Sequence, residues 1–156
     1  MTAIAPQQLV TFRLGDDRFA VDIFVVERVL RFTAPAAVPK LPAWMDGVIE
    51  HGGRVVPVID LRVRLGMPRI ARRPEQRILV LAVGDEWLGV TVDSVHEVMS
   101  VPLEDVAPPP PIFRGLDAEY LRGLVRHEGS LIIFLDVTRI LTSTERLELA
   151  QAAANG

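Results

Sequence analysis

The chain contains one pattern of residues twice. Residues 47–61 read GVIEHGGRVVPVIDL and residues 123–137 read GLVRHEGSLIIFLDV, an offset of 76 positions. Within these segments Gly, His, Gly and Asp recur in register, and seven further positions are apolar in both copies. A related pair precedes them, GDDRFAVDIFVVERVL from Gly15 and GDEWLGVTVDSVHEVM from Gly84. Two copies predict a duplicated subdomain, because a solenoid needs about three repeats or more to bury its core.

Each copy has the pattern of short β-strands joined by tight turns. Residues 9–14 and 19–23 alternate apolar and polar side chains, as half-buried strands do. Gly52-Gly53 predicts a hairpin turn, and Asp60 is placed to cap a short helix, Leu61–Leu65. Residues 24–32 fit a helical turn or a strand. The predicted fold class is therefore all-β with short helices, and many closely spaced strands favour small barrels.

The end of the chain has the pattern of a helix start. Thr142 and Glu145 stand three positions apart, the spacing of a capping box. We therefore predict a C-terminal helix that includes Leu147 and Leu149.

The composition is typical of a compact soluble protein. At 156 residues the chain fits one domain or two very small ones. It has no cysteine, which excludes disulfides, and no apolar run near the roughly 18 residues of a membrane span. The N-terminal residues MTAIAPQQ lack the regions of a secretory signal, so we expect a cytoplasmic protein. The net charge of −3 argues weakly against nucleic-acid binding driven by overall charge.

Several segments together resemble one known family. The run GVIEHGGRVVPVIDLRVRLGM is similar to the signature of the CheW family, in which the core V-P-V-I-D-L-R is fairly specific. The segments FRLGDDRFAVDIFVVERV, VGDEWLGVTVDSVHEVMSV and YLRGLVRHEGSLIIFLDVTRIL also resemble that family, so the resemblance covers about residues 8–142. The family consists of adaptor proteins that link chemoreceptors to the histidine kinase CheA.

The resemblance implies a fold and a division of the chain. It implies two five-stranded, SH3-like β-barrels packed as a pair within a single CheW-like domain, residues 8–142. The barrels would comprise about residues 8–70 and 77–142, and residues 143–156 would form the C-terminal helix or tail.

The resemblance also implies a non-enzymatic scaffold in bacterial signal transduction. The expected partners are the regulatory domain of a CheA-like histidine kinase and the cytoplasmic tip of a chemoreceptor, with membrane contact only through the receptor. No small-molecule substrate, cofactor or metal is expected, since the sequence has no phosphate-loop motif and no zinc or calcium spacing. The positions that the resemblance assigns to partner contact are Val26, Arg28, Glu50, Gly52, Gly53 and Gly89.

Two of these positions depart from the family pattern in charge. Where the signature has Asn-Leu-Arg-Gly, this chain has Glu50-His51-Gly52-Gly53, so Gly52 replaces the arginine. In the first hairpin Arg28 replaces the glutamate. Because like charges across an interface are costly, we expect a divergent receptor or kinase sequence that compensates for these changes. The alternative is drift at a tolerant surface position.

A stretch rich in arginine offers a second function, a twin-barrel nucleic-acid-binding protein. Within Arg62–Arg77 only Glu75 opposes the positive charges. The arginines of the stretch are Arg62, Arg64, Arg69, Arg72, Arg73 and Arg77. Aromatic residues make up 6% of the chain, too few for a base-stacking surface. We therefore favour a solvated linker between the barrels.

The side chains with catalytic potential have simpler explanations. His51 and His127 occupy equivalent positions beside a turn, and His96 is expected at a surface or an edge. Asp60 and Asp136 are also equivalent, which favours two helix caps over a pair for acid–base chemistry.

Three apolar or small residues allow two interpretations each. Glycine in a strand marks a bulge or the close approach of another backbone, so Gly53 and Gly89 are candidates for positions where a larger side chain blocks a partner without unfolding the barrel. Val26 is expected in the receptor-facing groove, with core packing as the alternative.

Overall fold

The computed structural model describes residues 6–109 and 120–155. This part of the chain contains eleven strands and two α-helices: β1 (Gln7–Leu14), β2 (Asp17–Asp22), β3 (Val26–Arg31), β4 (Gly47–His51), β5 (Arg54–Asp60), α1 (Leu61–Arg64), β6 (Arg77–Val83), β7 (Glu86–Val92), β8 (Ser94–Val101), β9 (Val106–Ala107), β10 (Leu121–His127), β11 (Ser130–Leu135) and α2 (Ser143–Asn155). Short 3-10 turns are formed by Ile23–Val25, Leu103–Asp105 and Val137–Arg139. The predicted fold class, all-β with short helices and a C-terminal helix, is confirmed.

The hairpin turns of the two copies have the same backbone geometry. Gly52 and Gly53 join β4 to β5 with φ of +58° and +74°, and Glu128 and Gly129 join β10 to β11 with φ of +49° and +77°. Positive φ at both central residues matches the right-handed twist of two-residue hairpins. His51 and His127 are the last residues before these turns and pair with the first residues after them. The prediction that both histidines are turn residues is confirmed.

The strands form two curled sheets, and each sheet contains strands from both copies of the repeat. The five-stranded sheet has the order β3-β6-β7-β5-β4, and the six-stranded sheet has the order β8-β1-β2-β11-β10-β9. The first copy's hairpin β1–β2 therefore pairs with β8 and β11, and the second copy's hairpin β6–β7 pairs with β3 and β5. The predicted division near residues 70–77 does not coincide with the boundary between the sheets, because each copy completes the other's sheet.

The six-stranded sheet has one strand more than predicted, the two-residue β9. Ala107 of β9 pairs with Leu124, and at the equivalent place in the other sheet Ala36 forms a single bridge to Val48. The repeated glycines explain why both additions fit. A Cβ at Gly47 would lie 2.5 Å from the Ala36 carbonyl oxygen, and one at Gly123 would lie 2.8 Å from that of Ala107. Glycine is required at both positions because another backbone approaches closely.

The apolar side chains form three clusters. The largest lies between the sheets and combines Phe12 of β1, Leu88 of β7 and Leu149 of α2, each 1% exposed or less. A smaller cluster belongs to each sheet, around Phe134 in the six-stranded sheet and around Val56 in the five-stranded sheet. Because full burial of such a side chain contributes about 1.5–3 kcal/mol, the shared cluster holds the sheets and α2 together.

Both helix starts have the predicted caps. The Asp60 carboxylate accepts a hydrogen bond from the backbone N–H of Arg62 at 2.9 Å, and Gly66 follows α1 with φ of +79°. At α2 the Glu145 N–H donates to the Thr142 hydroxyl at 3.2 Å, and the Thr142 N–H donates to the Glu145 carboxylate at 2.9 Å. The capping box is confirmed.

Candidate partner-binding surface

The tip of the β4–β5 hairpin is exposed and rests on the indole of Trp87. The Arg54 guanidinium lies 4.0 Å from the centroid of the indole and donates a hydrogen bond to the Asp85 carbonyl oxygen at 3.2 Å. The His51 and Trp87 rings are 6.0 Å apart, and a Cβ at Gly52 would lie 3.5 Å from the indole. The tip is thus held against the β6–β7 turn. The guanidinium at this tip belongs to Arg54, two positions after Gly52, where the family pattern has its arginine.

The sequence did not indicate the pair formed by Arg54 and Trp87. The two residues are 33 positions apart and belong to different copies of the repeat. The one available signal is that Arg54 directly follows the predicted Gly52-Gly53 turn. Cation–π pairs of this kind contribute about 0.5–2 kcal/mol, depending on how far they are desolvated.

The sequence of residues 24–32 fits either a helical turn or a strand. In the structure residues 26–31 form a strand, the edge strand β3. Val26 is half-buried and packs against the cluster between the sheets, so core packing accounts for part of its environment. Arg28 is exposed and pairs with Val80, after an irregularity in the β3–β6 register. An exposed edge strand offers unpaired backbone groups to another chain.

The structure places five of the six predicted contact positions at opposite edges of one sheet. Val26 and Arg28 lie on β3, whereas Glu50, Gly52 and Gly53 lie at the end of the hairpin that begins with β4. Glu50, Gly52 and Gly53 are exposed, and a Cβ at Gly53 would meet no atom within 4 Å. These positions therefore form two separate exposed areas of the five-stranded sheet.

Gly89 differs from the other five positions in being buried. It is buried in β7 between β6 and β5, where it pairs with Val80 and Val58. A Cβ at Gly89 would lie 3.1 Å from methyl groups of both Ile78 and Val58. The close approach at Gly89 is made by the protein's own core, which is a structural reason for the glycine; partner contact at Gly89 stays a prediction.

The arginine stretch is a solvated linker only in part: residues 71–75 are exposed, but α1 uses two of the arginines inside the protein. Arg62 is 8% exposed and donates to both carboxylate oxygens of Asp93, at 2.8 and 2.6 Å. Arg64 forms two hydrogen bonds with the Glu145 carboxylate and a third with the Ile140 carbonyl oxygen at 3.0 Å. Arg69 pairs with Asp46 at 2.8 Å. These three guanidinium groups are engaged, which removes much of the charge that nucleic-acid binding would need.

The acids of these pairs have shifted pKa values. Burial by itself would raise the pKa of Asp93, but hydrogen bonds from Arg62 and from the Gly15 N–H outweigh it and lower that pKa. Glu145 behaves in the same way. Burial alone would raise its pKa, but hydrogen bonds from Arg64 and from the Thr142 N–H outweigh burial and lower that pKa. The pKa of Asp60 is raised, because burial outweighs the hydrogen bond from the Arg62 N–H.

The remaining polar candidates have local partners. His96 is exposed and shares a hydrogen bond with the Ser94 hydroxyl at 2.9 Å. The Asp136 carbonyl oxygen accepts a hydrogen bond from the Arg139 N–H in the turn that follows β11. In residues 6–109 and 120–155, no three His, Asp or Glu side chains are grouped as a metal ion would require. Within the same residues no helix has the length and apolar character needed to span a membrane.

The fold and the exposed positions define a small all-β protein of two curled sheets, whose candidate site comprises two areas of one sheet, an edge strand and a hairpin tip. Comparison with known proteins gives the family. Residues 8–145 match the model of the CheW-like domain. The chain belongs to the CheW-like domain family.

Individual relatives agree with this assignment. Chemotaxis protein CheW of Treponema pallidum is 32% identical over 92% of this chain and 86% of its own length. Protein FrzA of Myxococcus xanthus is 31% identical over 93% of this chain and 91% of its own length. The crystal structure of the scaffolding protein TtCheW from Thermoanaerobacter tengcongensis matches with a TM-score of 0.79 and 28% identity, over 86% of this chain and 92% of that one.

Proposed function

We propose that this protein is a non-enzymatic cytoplasmic scaffold that couples chemoreceptors to a CheA-type histidine kinase. The observation that carries the proposal is the likeness of the whole twin-sheet fold to a protein described as a scaffold. Membership of the CheW-like domain family over nearly the whole chain supports it. Such a protein transmits a signal by position and contact, and transfers no chemical group.

Rigid, exposed surfaces are what a scaffold needs. The β4–β5 tip is held by Trp87, and the edge strand β3 is held by its pairing with β6. We expect the receptor tip and a kinase regulatory domain together to use the two areas, Val26 and Arg28 on β3 and Glu50, Gly52 and Gly53 at the hairpin tip, with the kinase domain bound along a sheet edge. In this arrangement the protein reaches the membrane only through the receptor.

The charge changes at two of these positions define a narrower proposal. Arg28 is exposed and Gly52 carries no side chain, so the surface lacks the acid and the base of the family pattern. We expect a receptor or kinase whose charges are changed correspondingly, since like charges across an interface are costly.

The test of the function is calorimetric titration with the regulatory domain of the CheA-like kinase from the same genome. We expect binding at micromolar affinity or tighter. Absence of binding to every such kinase would contradict the scaffold function.

The test of the charge proposal uses Arg28→Glu, because Arg28 is exposed and the change leaves the core intact. Affinity for the protein's own receptor should fall by about tenfold. Arg126→Glu, at another exposed arginine, has the same change of charge and serves as the control. Gly52→Arg is less suitable, since Gly52 has φ of +58° and an arginine there would be strained. Equal affinities of the Arg28→Glu variant and of the unaltered protein would favour the alternative, sequence drift at a tolerant surface position.

A further inference from the structure

Two arginines face each other across adjacent strands at one end of the five-stranded sheet. Arg31 of β3 pairs directly with Arg77 of β6. The Arg77 guanidinium donates to the carbonyl oxygens of Pro74 and Gln76, both at 2.8 Å, which fixes its position. Like charges directly opposite in a sheet are destabilising. This pair therefore costs stability unless something negative binds beside it.

A third arginine is brought to the same end by the loop before β6. Arg72 lies over the Phe32 ring with its guanidinium 5.2 Å from the ring centroid. The Phe32 N–H donates to the Gln76 carbonyl oxygen at 3.3 Å. Gln76 is 6% exposed, and its side-chain carbonyl accepts the Arg73 N–H at 3.1 Å. The loop is thus held in place, and Arg72 is held over Phe32, the residue that follows Arg31 in the chain.

Together with Arg28, these residues line the β3 edge of the sheet on both of its faces, since side chains three positions apart in a strand point to opposite faces. We call it the basic edge: Arg28, Arg31, Arg72 and Arg77. Among the residues that the structure describes, none of the four has a carboxylate within ion-pair distance. Glu27 and Glu75 are the acids nearest in sequence, so the basic edge is net positive in a chain of net charge −3. Arg62, Arg64 and Arg69 differ from these four, because each of them is paired internally.

We propose that the basic edge binds an extended acidic segment of a partner protein along β3. The inference rests on the proposed function, and names the chemistry of the partner at the edge that includes Arg28. β3 pairs only with β6 among the described strands, and Val29, between Arg28 and Arg31, is 42% exposed. An added strand would bond to the free backbone of β3, and its alternating side chains would bring carboxylates to the arginines on both faces of the edge.

The geometry favours protein over nucleic acid as the occupant. The aromatic ring in the basic edge, Phe32, is covered on one face by Arg72 and is half-buried. Single-stranded nucleic acid is bound chiefly by base stacking on open aromatic faces together with a basic groove. An edge strand with an exposed valine suits an extended polypeptide better.

The test is fluorescence anisotropy with three labelled probes: a glutamate-rich peptide, the matching lysine-rich peptide and an oligothymidylate of the same length. We expect the full-length protein to bind the glutamate-rich peptide in preference to the other two. Arg31→Glu/Arg72→Glu should weaken that binding by about tenfold or more, and the neutral variant Arg31→Gln/Arg72→Gln should weaken it less.

The matched control is Arg126→Glu/Arg146→Glu, which changes net charge equally at exposed positions on β10 and α2. It should leave the affinity within about twofold of the original. Equal losses in both charge-reversed variants, or tighter binding of the oligothymidylate, would overturn the proposal. Calorimetry with the kinase domain distinguishes this proposal from the scaffold function. If every variant still binds the kinase domain and the protein shows no preference among the peptides, only the proposal for the basic edge is refuted. Peptide binding without kinase or receptor binding refutes the scaffold function.

Discussion

Arg62 and Asp93 are 31 positions apart and joined by two hydrogen bonds. The same carboxylate accepts a third, from the Gly15 N–H at 2.6 Å. Asp93 therefore connects α1, the β1–β2 turn and the connection between β7 and β8. One carboxylate links the two copies at the place where the second copy passes from one sheet to the other.

Removal of Arg62 should be strongly destabilising. The side chains of Arg62 and Asp93 are 10% and 14% exposed, so Arg62→Ala leaves an unpaired carboxylate in a mostly buried place. We expect a loss of about 3 kcal/mol in the free energy of unfolding, measured by urea denaturation. Arg139→Ala is the control, because Arg139 is 67% exposed and 3.7 Å from Asp136, and its loss should stay below about 1 kcal/mol. Similar losses in the two variants would contradict this role of Arg62.

Stability should fall in acid because Asp93 and Glu145 have lowered pKa values in the folded protein. A carboxyl whose folded pKa is depressed contributes stability above its unfolded value of about 4. That contribution is lost as the pH falls through the lower, folded pKa. Urea unfolding at a series of pH values should therefore show a decline that begins below about pH 5. In Arg62→Ala the decline should be shallower, and an unchanged slope would exclude Asp93 as a contributor.

Gly89→Asp should unfold the protein. The new carboxylate would be placed against Ile78 and Val58 without a partner, at a cost of about 3 kcal/mol or more. Gly53→Asn is the control, since Gly53 is exposed with φ of +74° and asparagine tolerates that backbone conformation. Its cost should stay below about 1 kcal/mol in thermal unfolding. A folded Gly89→Asp protein that had lost partner binding would support Gly89 as a contact position.

Trp87→Leu should loosen the β4–β5 tip. Arg54 would lose the ring over which it lies, at a cost of about 0.5–2 kcal/mol, and His51 would lose its aromatic neighbour. Faster hydrogen exchange at the amides of residues 51–54 is the expected result. Trp44→Leu is the control, because the Trp44 indole donates to Glu148 of α2, and its loss should affect α2 instead. Unchanged exchange at the tip would show that the turn alone holds it.

The local features of this fold could be predicted from the sequence. The turn at Gly52-Gly53, the cap at Asp60 and the capping box of Thr142 and Glu145 depend on residues a few positions apart. The duplication predicted the same local structure twice, and His51 and His127 do occupy matching places in matching hairpins. The fold class followed from these features.

The long-range features could not be predicted in the same way. Both copies present similar strand edges, so the pattern does not say whether β3 pairs with the first hairpin or, as found, with β6. A glycine in a strand marks a close approach without naming its source, and at Gly89 the source is Val58 and Ile78. Arg62 and Arg72 look alike in a basic stretch, yet the first is buried in an ion pair and the second is exposed.

The exchange of hairpins between the sheets has a consequence for how this chain can be divided. A single copy of the repeat, expressed alone, would hold two strands of one sheet and three or more of the other, and would complete neither. Two separate copies could complete both sheets only if each copy exchanged its first hairpin with the other. The chain thus has the architecture of a domain-swapped homodimer fused into one polypeptide, with residues 65–76 as the covalent link between the two copies.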